Sequence, residues 1–151
     1  MNRLALLTAQ GFGVGRIAWA PGTFGTVLAV PLYLVLAPLD LLWYAAVVVL
    51  LFLVGVVICG IADRVLGTTD HASIVWDEIV GYLVTMLAVP RGWEWTVGGF
   101  VLFRLFDIWK PWPIRLVERR VGGGLGVMLD DLIAALFAWI ALQSIMRVAL
   151  Q

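Results

Sequence analysis

"IVWDEIVGYLVTMLAVP", residues 74–90, sets Asp77 and Glu78 side by side at the head of a long apolar stretch. A carboxylate at the centre of a bilayer-spanning helix costs roughly 2.5–3.5 kcal/mol on insertion scales. Two of them together belong at a depth where water or a cation reaches them, and the reading of the whole chain turns on what holds them there.

The surrounding sequence is of the same apolar kind. Of 151 residues, 63% are hydrophobic, and the mean hydropathy is +1.04; soluble domains carry roughly 45–50% apolar residues. This composition predicts an all-α, polytopic helical bundle in a membrane, with residues 1–151 as a single domain. Ten basic and ten acidic side chains leave no formal net charge, so no global field argues for nucleic acid or an acidic partner. The single Cys59 cannot form an intramolecular disulfide and reads as a small buried hydrophobe. The first fifteen residues lack a long apolar core and a cleavage site, so they read as a short surface helix ended by Gly11, Gly13 and Gly15, with no signal peptide.

Hydropathy predicts five membrane-embedded helices, at about Thr23–Ala37, Leu41–Ala62, Ile74–Val89, Thr96–Trp109 and Leu132–Leu150. A span needs about 20 apolar residues, and the third and fourth are short enough to leave full crossing open. With "PLD" (38–40) as a hairpin, segments 1–22, 63–78 and 107–131 fall on one side. That side collects Arg3, Arg16, Arg64, Arg104, Lys110, Arg115, Arg119 and Arg120, against Arg91 and Arg147 opposite. The positive-inside rule makes it cytoplasmic. The acids sort the same way: Asp63, Asp70, Asp77, Glu78, Asp107, Glu118, Asp130 and Asp131 share that face, with Asp40 and Glu94 opposite. Trp93, Trp95, Trp109 and Trp112 flank spans as interfacial anchors.

Asp77 with Glu78, and Asp130 with Asp131, are adjacent pairs, so on a helix the members of each diverge by about 100°. Both pairs are expected in a first helical turn, where the macrodipole alone would favour them. Asp107 adds a third element, with Arg104 three positions earlier on the same face and Lys110 at the helix end before Pro111. Clustered oxygen ligands without Cys/His spacing suit Mg²⁺ or Mn²⁺, and the neighbouring cations suit phosphate oxygens. The simpler reading of Arg104 and Asp107 is a salt-bridged lock. Two glycine-rich turns, "APGTFGT" (20–26) and "GGGLGVMLDD" (122–131), also offer anion-binding backbone; in the first, Gly22 and Gly25 allow close approach and Thr23 and Thr26 supply hydroxyls. Taken alone, each reads more simply as a tight re-entry turn into the membrane. His71, the one histidine, could protonate a leaving alkoxide or simply bond Asp70 or Asp77.

"APGTFGT", "DHASIVWDEIVGY", "FRLFDIWKPWPI" and "GGGLGVMLDDLIA" resemble, in order and spacing, the blocks of the phosphatidylglycerophosphatase A family over roughly residues 11–135. The resemblance implies a bacterial cytoplasmic-membrane enzyme, active site facing the cytoplasm, that uses Mg²⁺ to hydrolyse the terminal phosphomonoester of phosphatidylglycerophosphate. It assigns the acidic positions to Asp77, Glu78, Asp107, Asp130 and Asp131, and places His71, Arg104 and Lys110 in matching blocks. Thr26 stands where the family pattern has Ser, and Ala135 where it has Gly. The mechanism expected from these residues is hydrolysis assisted by one or two Mg²⁺ held by some of the five acids. Arg104 and Lys110 stabilise the phosphate oxygens, and either water or a carboxylate is the nucleophile. A membrane ion or proton transporter is the competing class; it predicts acids spread through the membrane depth. Oligomeric state and acyl-chain preference are left open.

Overall fold

The computed structural model describes residues 2–68 and 71–149, apart from the side chains of Glu118 and Arg119. The expectations placed on Asp70, on those two side chains and on Leu150 lie outside the described residues. Every regular element among the described residues is helical: α1 (Asn2–Ala9), a 3₁₀ segment (Gly11–Arg16), α2 (Pro21–Leu36), α3 (Leu41–Leu66), α4 (Trp76–Thr85), α5 (Trp93–Trp109), α6 (Ile114–Arg120) and α7 (Gly123–Ala149).

Local chemistry sets these boundaries. Pro21 opens α2 at a position where its missing N–H costs nothing. Gly67 closes α3 in the left-handed region at φ 71°, its N–H donating to the Asp63 carbonyl at 2.9 Å. Pro111 cannot continue a helix, and α5 ends at Trp109 with Lys110 at φ 44°. Five helices, α2, α3, α4, α5 and α7, run alternately up and down, and α7 packs against α3, α4 and α5. Hydrogen bonds record the antiparallel order: the Tyr44 hydroxyl near the start of α3 donates to the Leu83 carbonyl near the end of α4 at 2.7 Å. Trp139, past the middle of α7, donates to the Leu87 carbonyl just beyond α4 at 2.8 Å, which sets α7 in the same direction as α4. The ends at Pro21, Leu66, Trp76, Trp109 and Gly123 therefore gather at one pole, with α6 connecting two of them. Tyr82, Leu83, Phe103, Met128 and Leu142 fill the core between the helices.

Two helices, α3 and α7, are long and apolar enough to cross a membrane. Five full spans are not supported. At 1.5 Å per residue, α2, α4 and α5 extend about 24, 15 and 26 Å, short of the roughly 30 Å hydrocarbon core. The third expected span shrinks most: α4 stops at Thr85, and the chain turns through Ala88 at φ 56°. On α3, the outward residues Val49, Leu50, Leu53 and Val57 are all more than half exposed. So continuous an apolar face is one that water does not favour and lipid does. The last helix also differs from expectation: α7 begins at Gly123, nine residues before Leu132.

Candidate active site

That early start moves Asp130 and Asp131 two turns inside α7, away from its first turn. Dipole capping, one reason for them to be there, falls off within a turn and no longer explains this pair. Asp77 and Glu78 do occupy the first turn of α4, as expected. The two pairs, Asp107 of α5, Arg104 and Lys110 all line one cavity of about 310 Å³, with Ala20, Pro21 and Gly22 on one wall and Ala72 and Ile74 on another. Residues more than 100 positions apart are thus brought to one pole of the bundle.

Inside the cavity the charges divide into two sets. Asp107 is ion-paired with Arg104, whose guanidinium also lies 3.9 Å from Glu78. Lys110 reaches Asp130 at 2.7 Å. The remaining three carboxylates, Asp77, Glu78 and Asp131, place one oxygen each within 4.8 Å of one another. Asp77 and Asp131 are 6% and 4% exposed. Oxygens Oδ1 of Asp77, Oε2 of Glu78 and Oδ2 of Asp131 have no hydrogen-bond partner among the described residues. Burying an ionised carboxylate without a counter-charge costs several kcal/mol. In α4, which is too short to cross a membrane, burial accordingly pushes the Asp77 carboxyl well above the usual range, with Glu78 adding to it. Burial also raises Glu78 to about 7.

This is a donor set that fits a hard divalent cation: oxygen ligands only, converging from two helices, with orphaned lone pairs facing one another. Asp77, Glu78 and Asp131 would hold such an ion. Asp107 and Asp130, each already paired with a cation, instead orient Arg104 and Lys110. The Arg104 Nε is buried and has no partner among the described residues, so one donor of the guanidinium remains unused.

Of Gly22, Thr23, Gly25 and Thr26 in the first glycine turn, only Gly22 lines the cavity. A methyl group there would overlap the Glu78 Oε1 and press on both terminal nitrogens of Arg104, so a Cβ would displace the ends of these two cavity side chains. Gly25 faces Val75, whose Cβ would lie 2.6 Å from an added methyl; its role is helix-to-loop packing. Thr26 is fully buried and donates to the Gly22 carbonyl at 2.9 Å, within its own helix. Thr23 does not line the cavity. The Ser-to-Thr departure at 26 thus falls on a hydroxyl spent inside α2. Ala135 is fully buried, with its carbonyl 3.5 Å from the Thr85 hydroxyl, at the contact of α7 and α4.

His71 does not line the cavity either. Its Nδ1 lies 2.8 Å from the Ser73 hydroxyl and accepts the Ser73 backbone N–H at 3.1 Å. Gln10 donates to the same hydroxyl at 2.8 Å, and Arg16 donates to Gln10 at 2.9 Å. The backbone N–H of Val75 donates to the Ala9 carbonyl at 2.9 Å. The N-terminal segment thereby straps the loop that leads into Asp77. Ser73 lies in the second family block without a role of its own and Gln10, 63 positions away, lies outside all four, so no spacing in the sequence linked them.

Against known proteins, the family model described as Phosphatidylglycerophosphatase A matches residues 7–146. Proteins named phosphatidylglycerophosphatase A from Escherichia coli and Haemophilus influenzae are 43% and 42% identical to the chain. The first alignment covers 87% of this chain and 77% of the relative; the second covers 96% and 90%. A Bacteroides thetaiotaomicron protein with the provisional name phosphatidylinositol-3-phosphatase is 39% identical, over 91% of this chain and 90% of its own. No solved structure matches. The matched residues take in every helix that lines the acidic cavity, and the chain belongs to the phosphatidylglycerophosphatase A family.

Proposed function

We propose that this chain is a membrane phosphatase that hydrolyses the terminal phosphomonoester of phosphatidylglycerophosphate, yielding phosphatidylglycerol and inorganic phosphate, with Mg²⁺ as cofactor. One observation carries the reading: three clustered carboxylates, only Glu78 of them within ion-pair distance of a cation, share a single cavity with two carboxylate-held cations. The names of the family and of its 42–43% identical relatives supply the substrate class.

In this reading Asp77, Glu78 and Asp131 hold the ion. When bound, Mg²⁺ neutralises phosphate charge and acidifies water. Arg104, steadied by Asp107, turns its unused donor to the phosphate oxygens, and Lys110, steadied by Asp130, adds a second positive charge. Pro21 and Gly22 keep that wall low enough for a phosphate to approach Glu78 and Arg104. Either water attacks phosphorus directly and its proton reaches the departing glycerol oxygen as the ester P–O bond breaks, or a carboxylate attacks, the glycerol oxygen leaves with a proton from water, and a second water hydrolyses the acyl phosphate to inorganic phosphate. Acid-quenched enzyme carrying radiolabelled phosphate would assign the nucleophile to a carboxylate; quenched enzyme free of label would assign it to water.

Depth supports a lipid substrate. Asp131 and Ala149 are 18 positions apart on α7, about 27 Å of helix, close to the hydrocarbon thickness. With Ala149 at one boundary, the acidic cavity lies at the other, at headgroup level, and the first two turns of α7 stand beyond it. Arg3, Arg16, Arg64, Lys110, Arg115 and Arg120 belong to the cavity pole, and Arg91 and Arg147 to the opposite one. That asymmetry orients the cavity toward the cytoplasm. In this multi-pass arrangement α3 and α7 cross, while α2, α4 and α5 lie within the membrane beside them. The acids gather at one pole rather than along the depth, which disfavours a transporter.

The test is phosphate release from phosphatidylglycerophosphate by the purified full-length protein, with Mg²⁺ and with EDTA, beside phosphatidylinositol 3-phosphate. Release of phosphate from the first lipid that EDTA abolishes is the expected result. No release, or release indifferent to EDTA, overturns the reading.

A further inference from the structure

The pole opposite the acidic cavity carries a second cavity that the phosphatase reading leaves without a role. It lies between the C-terminal half of α2 and the first turns of α5, has a volume of about 310 Å³, and is lined by Tyr33, Leu34, Pro38, Arg91, Trp93 and Val97 among others. Tyr33 is 11 positions along α2 from Gly22 of the acidic cavity, about 16 Å of helix. A mostly apolar cleft of this size with a few convergent polar groups is the usual form of a ligand site.

Two polar groups there lack what their chemistry demands. The Tyr33 side chain is buried, 3% exposed, yet its hydroxyl has no hydrogen-bond partner among the described residues. Its neighbours Tyr44 and Tyr82 are both satisfied, by the carbonyls of Leu83 and Thr96. A buried hydroxyl left unbonded costs about 1–3 kcal/mol, so a missing acceptor is implied. Arg91 is exposed at the same cleft and forms no ion pair among the described residues. The acids of this pole, Asp40 and Glu94, do not line it. The apolar walls include Leu34, Trp93 and Val97, which are 58%, 79% and 52% exposed on the outer face of the bundle.

We propose that this cleft is a second lipid site, separate from the catalytic cavity, that takes an anionic phospholipid of the opposite leaflet. The phosphodiester oxygens accept hydrogen bonds from the Arg91 guanidinium and the Tyr33 hydroxyl, and an acyl chain lies along Leu34 and Val97. The lone cation selects negative headgroups, as basic pockets beside membrane helices do. The Tyr33 hydroxyl, a donor held rigidly by burial, fixes where the phosphate sits.

Native mass spectrometry of the full-length protein in detergent, titrated with phosphatidylglycerol or with phosphatidylcholine of the same acyl chains, tests this. Wild type should retain phosphatidylglycerol over phosphatidylcholine. Arg91→Gln and Tyr33→Phe should each weaken that retention about tenfold, the factor expected for one hydrogen bond to a charged group. Arg104→Gln, at the catalytic cavity, should leave it in place. Phosphate release by Arg91→Gln at the wild-type rate would show that the fold is kept, and Tyr33→Phe removes a single oxygen. Equal retention of the two lipids by wild type overturns the proposal. So does wild-type retention in both cleft variants, or loss of retention in Arg104→Gln alone, which would put the lipid in the catalytic cavity.

Discussion

Lys110, one residue past the end of α5, reaches Asp130 two turns inside α7, with Nζ 2.7 Å from Oδ2. This ion pair joins the two helices across the mouth of the acidic cavity. Pro111 cannot continue α5, and Lys110 ends the helix in the left-handed region at φ 44°. Asp130 is 3% exposed, so removing its partner strands a buried charge. Lys110→Met should therefore lower stability by about 3 kcal/mol and reduce phosphate release. Adding Asp130→Asn should recover most of the stability without the activity. Thermal unfolding and turnover of the two singles and the double variant check this; additive stability losses would show that the pair is not coupled.

Asp77→Asn, Glu78→Gln and Asp131→Asn should each abolish measurable phosphate release and weaken Mg²⁺ binding, read by calorimetric titration without substrate. In EDTA the same substitutions should raise the melting temperature, because each relieves the desolvation and mutual repulsion of three clustered buried carboxyls. Variants that melt lower than wild type in EDTA would mean that these carboxylates find partners within the protein.

The complementary measurement is on the wild type. Ligands that bind only the folded state stabilise by mass action, so Mg²⁺ at about 100 times its dissociation constant should add about 2.7 kcal/mol. The shift should vanish in Asp131→Asn. A melting temperature indifferent to Mg²⁺ would count against the three-carboxylate site.

Gly22→Ala and Gly25→Ala separate catalysis from packing. The Gly22 methyl would displace Glu78 and Arg104, so turnover should fall by at least about tenfold, in the range expected for a disturbed positioning group, with a smaller effect on stability. At Gly25 the added methyl strikes Val75, an overpacking that typically costs about 1–3 kcal/mol. Reversed outcomes for the two glycines would refute the assignment.

His71→Ala should retain activity within about tenfold of wild type, whereas loss of a general acid costs roughly 10²–10⁴. Its ring faces Ser73 and the N-terminal strap instead of the cavity. A larger loss, restored by raising the acidity of the leaving group in a synthetic substrate, would return His71 to the role of proton donor.

What the sequence by itself determined was the class of the molecule and the inventory of its chemistry. Apolar composition and long apolar runs made it helical, the adjacent acids at 77–78 and 130–131 with Asp107 marked the site, and Pro111 marked where α5 ends. Those features are local, carried by residue type and spacing. The length of each helix was harder to read, because hydropathy reports what lipid or core accepts and does not separate the two. Residues 74–89 read as a span, yet the chain turns at Met86 and α4 is ten residues long. The first nine residues of α7, rich in glycine, read as a loop and are helical because they pack against α3 and α6. Only the tertiary structure decided which acids keep a free lone pair and which spend it on Arg104 or Lys110. It also turned His71, Thr26 and Gly25 away from the cavity. Those outcomes depend on distances between residues far apart in the chain, and they arise when five helices of unequal length meet at one pole.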